Sequence, residues 1–199
     1  MQYLIDYLDE KTTLELDGIL RTKLEDIKPD TEFFEYGRTY KDTIARVNTR
    51  KSYSSRKIIE LIKPFFQKIG LPVNENNGYI EYKSYDYDNI DIQDSGDFYR
   101  ANEFYEGVHE CIIITHKDSK LKRGDVLLYI DSPYELLKLI GYEKTSRIEY
   151  ETVPGMVIIC SGDTIHDIKR CVGKGSFNYI TITLYSKKRE GYSFDNDDD

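Results

Sequence analysis

The sequence predicts a mainly β protein with flanking helices, an α+β arrangement in which N-terminal helices pack outside a jelly roll. Three observations carry this. Apolar residues at helical spacing dominate the first third of the 199-residue chain. From residue 79 onward, short β-branched runs follow one another with little between them. Eighteen tyrosines stand beside only two alanines, Ala45 and Ala101, a usage that favours strands over long helices.

Leu14, Leu16, Ile19, Leu20, Leu24 and Ile27 recur at helical spacing and stop before Pro29, which predicts a helix over 14–27. Residues 43–48 read as a short strand. Ser54 or Ser55 caps a second helix whose buried stripe is Ile58, Leu61, Ile62, Phe65, Phe66 and Ile69, with Gly70 and Pro72 ending it. Pro64 removes a backbone donor inside that stripe, so a kink or an early end is expected. Strands are expected over 79–85, 111–115, 126–130, 147–153, 156–160 and 179–185. Ser132-Pro133-Tyr134-Glu135 is a capping box with proline at the first helical position, and Gly141 closes that helix. Helices first and strands after give a single domain over 1–190, with a helical part over 1–78 and a jelly-roll core over 79–186.

The formal net charge of -8 and pI near 5.0 oppose general nucleic-acid binding, which needs a basic stripe. No run approaches the length of a membrane span, and the opening residues form no signal peptide. Cys111, Cys160 and Cys171 lack zinc spacing and read as reduced core thiols, which places the chain in the cytoplasm. Residues 190–199 form an acidic tail, expected to be solvated and disordered.

The most informative stretch is Met156-Val157-Ile158-Ile159-Cys160, then a Ser161-Gly162-Asp163-Thr164 corner, then Ile165-His166; the next β-run is Tyr179 to Tyr185. Upstream, Cys111-Ile112-Ile113-Ile114-Thr115-His116-Lys117-Asp118 precedes Arg123-Gly124-Asp125-Val126-Leu127-Leu128-Tyr129, and Arg46 to Ser52 precedes a helix. In order and spacing these segments, over residues 43–186, resemble the Fe(II)/2-oxoglutarate dioxygenases, and within them the prolyl-hydroxylase branch. The resemblance implies a double-stranded β-helix, iron held by two histidines and one carboxylate, and oxoglutarate held by an arginine that opens the last core strand.

On that resemblance His166 is the last iron ligand. The His-x-Asp pair would fall at Asn102 and Phe104, where neither imidazole nor carboxylate stands. The arginine place reads Ser176-Phe177-Asn178, leaving Asn178 and the nearby Lys174 as the candidates for a cofactor carboxylate. Strand direction puts His109 on the rim of His166, with Glu106, Glu110, Asp163 and Asp167 near in sequence, so His109 and His166 are the candidate metal ligands. His116 is carried roughly 15–20 Å away at about 3.3 Å per residue. The bland alternatives are a strand-edge histidine at 109 and a corner histidine inherited from the fold at 166.

The expected function follows: a prolyl-hydroxylase-like fold with a degenerate iron and oxoglutarate site, a non-catalytic binding or regulatory protein with a protein partner and no catalytic residue assigned. No cofactor is expected; Fe(II) and 2-oxoglutarate are implied only if the chain is active. Its Ala-poor, Lys/Ile/Tyr/Asn-rich usage suits a viral protein that copies a host fold. Two rivals stay open: an active oxygenase with non-standard ligands, and a cupin-like small-molecule binder.

Overall fold

The structure, a computed structural model, describes residues 3–25, 31–35, 38–48, 53–71, 77–88, 105–129, 147–162, 164–169 and 171–188. In chain order its elements are β1 (Tyr3–Tyr7), α1 (Glu10–Leu24), β2 (Thr31–Glu35), β3 (Arg38–Asn48), α2 (Tyr53–Lys68), β4 (Gly78–Asp88), β5 (Tyr105–Glu106), β6 (His109–Lys117), β7 (Lys122–Arg123), β8 (Val126–Tyr129), β9 (Ile148–Tyr150), β10 (Met156–Ser161), β11 (Ile165–Ile168), β12 (Cys171–Val172), β13 (Gly175–Leu184) and β14 (Lys187–Lys188). The expected capping-box helix at 132–141 and the acidic tail lie outside the described residues.

Seven strands form one antiparallel sheet in the order β1-β10-β6-β13-β4-β3-β2, and β11-β8-β9 form a second. The two sheets share an apolar cluster. Ile112, Ile114, Met156, Ile158, Phe177 and Tyr179 of the large sheet meet Val126 and Leu128 of the small one. This is the jelly-roll-like arrangement that the strand pattern predicts. The other face of the large sheet is also covered: Cys111, Ile113, Val157, Ile159, Ile180 and Ile182 cluster with Leu16 and Leu20 of α1 and with Ile58, Ile62 and Phe66 of α2. Central strands are therefore buried on both faces, which is why the run Cys111-Ile112-Ile113-Ile114 is apolar throughout rather than alternating.

The N-terminal part is less helical than expected. β1 is five residues long, too short to show a period, and takes its order from pairing with β10 (Leu4 opposite Ile159). Residues 43–48 belong to the longer β3, hairpinned with β2. α1 begins at Glu10, because Asp9 caps it by accepting from the Thr12 amide (2.9 Å) and hydroxyl (2.7 Å). α2 runs through Pro64 to Lys68, with no early end. Pro64 and Glu60 are both exposed, so the Glu60 carbonyl that loses its helical donor faces water.

A buried carboxylate ties α1 to the sheet. Asp17 Oδ1 accepts from Asn178 Nδ2 (3.0 Å) on β13 and from Thr115 Oγ1 (2.9 Å) on β6, while Oδ2 accepts from Arg21 Nε (2.7 Å). Ser84 on β4 donates to Asn178 Oδ1 (2.7 Å), so three adjacent strands converge on one helix residue. Burial pushes the Asp17 carboxyl up. The hydrogen bonds from Asn178, Arg21 and Thr115, with the Arg21 charge, outweigh that and hold it below its ordinary value of 3.8. A depressed folded value means the stabilisation is fully present above pH 3.8 and is lost as pH falls through the folded value. Asp17→Ala is expected to cost about 2–3 kcal/mol, the scale of hydrogen bonds to a charged group. Urea melts at pH 7 and at pH 3 should show the penalty shrinking at the lower pH.

Candidate functional site in the barrel interior

Period-two alternation decides what the barrel contains. On β6, Cys111, Ile113 and Thr115 face the helices, while Glu110, Ile112 and Ile114 face the interior. On β4, Ile80 and Tyr82 face the helices, which puts Glu81 and Lys83 inside. On β13 the same alternation puts Asn178 on the helix face and Tyr179 inside, and the register shift beside them leaves Thr115 of β6 as an extra residue. Thr183, opposite Glu110, and Thr181, opposite both Ile112 and Glu81, line the same interior face.

The corner before β11 delivers His166. The Thr164 amide donates to the Ser161 carbonyl (2.9 Å), and the Gly162 amide donates to Val108 O (2.9 Å). A Cβ on Gly162 would stand 2.6 Å from Val108 Cβ, so this close approach needs glycine. It holds the start of β11 against the start of β6. His166 is 3% exposed and points inward, Nδ1 3.1 Å from Thr164 O and Nε2 3.4 Å from Glu110 Oε2. Because a carbonyl only accepts, Nδ1 carries the proton, and in the neutral ring Nε2 is an acceptor. Glu110 is 7% exposed, and its Oε2 receives no hydrogen bond. Cys160, opposite Glu110 on β10, lies with its sulfur 3.9 Å from His166 Nδ1; burial and then the Glu110 charge push its thiol up, so it is an inert neutral neighbour.

Deeper along the interior, Lys83 Nζ bonds Glu81 Oε2 at 2.7 Å, with both side chains about nine-tenths buried. The ammonium also lies 5.7 Å from the centre of the Tyr179 ring. The only cation of β4's interior face is thus neutralised two residues away on its own strand.

His109 and His166 lie at the same end of the barrel, since His109 is opposite Ser161 in register. They are not brought together. His109 is on the helix face of β6, its ring 6.3 Å from Phe66 at an edge-on angle, and burial alone holds its pKa below the ordinary value. His116 is at the far end, opposite Asn178, roughly 20 Å along the strand from Glu110 at about 3.3 Å per residue. Asn178 is engaged with Asp17 and Ser84 on the helix face. Lys174 is exposed in the turn between β12 and β13. Asn102 and Phe104 lie outside the described residues, as do Asp163 and Arg170; Asp167 is turned the opposite way from His166 on β11, next to Tyr129.

Glu81 and Lys83 escaped the sequence reading. Their signal was two opposite charges at i and i+2 between the apolar Ile80 and Tyr82, in a strand that turns out to be covered on both faces.

No family model matches the chain, and no curated protein sequence matches it significantly. Solved structures do. A Pseudomonas putida prolyl-4-hydroxylase aligns at a TM-score of 0.58 and 11% identity over 94% of this chain and 93% of that one. The non-heme α-ketoglutarate-dependent carbocyclase SnoK of nogalamycin biosynthesis aligns at 0.66 and 10% over 94% and 81%. A Burkholderia pseudomallei oxidoreductase of the 2OG-Fe(II) oxygenase family aligns at 0.58 and 13% over 94% and 87%. The chain therefore has the fold of the non-heme Fe(II)/2-oxoglutarate oxygenases. At these identities the likeness concerns fold alone.

Tested against that fold's cofactors, the described interior fits in part. No three His, Cys, Asp or Glu side chains among the described residues converge as a metal-binding group. Two donors do meet, His166 Nε2 and the Glu110 carboxylate. Among the described residues, β13 opens with Gly175-Ser176-Phe177-Asn178 and brings no cation inside, and Lys83 is paired with Glu81. Removing one partner of a buried ion pair strands the other charge. Glu81→Gln is expected to destabilise by about 3–5 kcal/mol, whereas Glu81→Leu with Lys83→Met should recover most of that loss in chemical denaturation.

Proposed function

We propose that this chain is a non-catalytic barrel of oxygenase fold that acts by binding a protein partner, and that it does not use 2-oxoglutarate. The observation that carries the reading is the Glu81–Lys83 pair. A dicarboxylate needs an uncommitted cation at its far end, and here a protein carboxylate holds that cation at 2.7 Å. An incoming ligand would have to displace Glu81 and leave it buried and unpaired, at a cost of several kcal/mol. Asn102 and Phe104, at the places where the resemblance puts two iron ligands, point the same way. A second reading, an oxygenase with non-standard ligands, is favoured by one observation, the carboxylate that Glu110 brings to His166.

The test is calorimetric titration with 2-oxoglutarate in the presence of Mn(II), joined to an assay of succinate release with Fe(II), ascorbate and air. The reading predicts no saturable heat and no succinate above the protein-free blank. Micromolar oxoglutarate binding, or iron-dependent succinate release, contradicts it.

A further inference from the structure

We propose that the end of the barrel away from His166 carries a basic surface that docks an acidic segment of a protein partner. The inference rests on the partner-binding reading and names the surface involved. Charge is unevenly placed in this chain. Residues 116–124 and 171–176 hold five of its 28 cations, Lys117, Lys120, Lys122, Arg123 and Lys174, and one of its 36 acids, Asp118. This tip therefore carries +4, while the rest of the chain carries -12.

Register brings the five cations together. β7 pairs with β12, Cys171 opposite Arg123 and Val172 opposite Lys122. The turn after β12 continues alongside. A Cβ on Gly173 (φ 121°) would stand 2.8 Å from Lys120 O, a close approach that needs glycine and sets Lys174 beside the turn between β6 and β7. That turn is held by backbone, the Leu121 amide donating to Asp118 O (2.9 Å) and the Asp118 amide to Ser176 O (3.0 Å). Asp118 Oδ1 accepts from the Lys120 amide (3.1 Å), so the one carboxylate of the tip serves the turn. Leu121 and Cys171 bury their side chains in the barrel cluster and fix the ribbon to the core. Lys120, Lys122, Arg123 and Lys174 are exposed, and Lys117 donates to the neutral Thr152 carbonyl (3.1 Å). Arg123 and Lys174 add their charge while keeping contacts of their own.

The sign and extent of the surface select the partner. Acids resume at its border, with Asp86 opposite Ser176 and Glu151 beside Thr152. Lys169, just beyond it, is paired with Glu149 at 2.8 Å. A long polyanion such as nucleic acid would run from the tip onto a surface of its own sign, whereas a short acidic stretch ends where the cations end. Residues 116–124 and 171–176 contain no phenylalanine, tyrosine or tryptophan on which a base could stack. Val153, next to Thr152, is exposed and gives the cations an apolar neighbour, a mixture that suits a protein interface. Complementary charge then steers the acidic segment to this end of the barrel and away from the rest of the chain.

The experiment uses the full chain and a short fluorescein-labelled peptide of alternating glutamate and serine, followed by fluorescence anisotropy. Saturable binding is expected, weakening steeply as NaCl rises because exposed charges are screened. Affinity should fall about tenfold or more in the double variant Lys120→Glu with Lys122→Glu, and measurably in Lys174→Glu. Lys187→Glu, which reverses a charge at the opposite end of the barrel, should bind as wild type does. All four substituted positions are exposed, so thermal melts should stay near that of wild type and separate lost binding from lost folding. No saturable binding by wild type overturns the proposal, as does wild-type affinity in both tip variants. Tighter binding of a single-stranded oligonucleotide or of phosphatidylserine vesicles than of the peptide, at the same salt, overturns the class of partner. Oxoglutarate takes no part in this assay: failure of the peptide to bind removes the tip and leaves the non-catalytic reading standing, while iron-dependent succinate release removes that reading and leaves the tip to be judged by the peptide.

Discussion

The burial of β6 on both faces is the constraint on which the rest depends. From His109 to Thr115 its odd positions pack against the helices and its even positions line the barrel, so over this stretch each residue's environment is set by parity. A one-residue slip would move Glu110 out of the interior and bring His109 in. The Asp17 network opposes such a slip, because Thr115 and Asn178 reach the α1 carboxylate only in the present register. The β-bulge opposite Asn178/Tyr179 falls on β6, where Thr115 is the extra residue, and Thr115 is the side chain that β6 sends to Asp17.

Within that frame the interior is organised by charge balance. Apolar side chains fill the layer between the two sheets, and the charged residues collect on β4 and at the His166 end. One pair, Glu81 with Lys83, is closed on itself. The other, Glu110 with His166, is open, because a carboxylate oxygen there lacks a donor. The fold is shared with oxygenases; the charges inside it are this chain's own.

Much of the fold was legible in the sequence because local pattern and tertiary burial agree there. The runs expected at 111–115, 126–130, 156–160 and 179–185 fall on β6, β8, β10 and β13; Leu16, Leu20 and Leu24 of α1 and Ile58, Ile62 and Phe66 of α2 are buried as expected, whereas Leu14 is exposed. β1 was not legible, since five residues show no period and edge pairing supplies their order. Pro64 misled because its helical face is exposed, where a missing donor costs little. Of the candidate site, the shared rim of His109 and His166 followed from strand direction, but the face of His109 did not, because an all-apolar strand gives no alternation from which to read parity. Glu81 and Lys83 were hidden for a related reason: two charges at i and i+2 match the pattern of a solvated strand face, and only the tertiary packing shows that both faces of β4 are covered.

The account's central claim, that parity on β6 separates His109 from His166 and joins His166 to Glu110, is tested most directly by side-chain NOEs on labelled protein. The structure predicts contacts from the His109 ring to Phe66 and from the His166 ring to Glu110 and Cys160, with none between the two histidines. An NOE between the His109 and His166 rings, with the Phe66 contact absent, would place β6 in the other register and contradict the account.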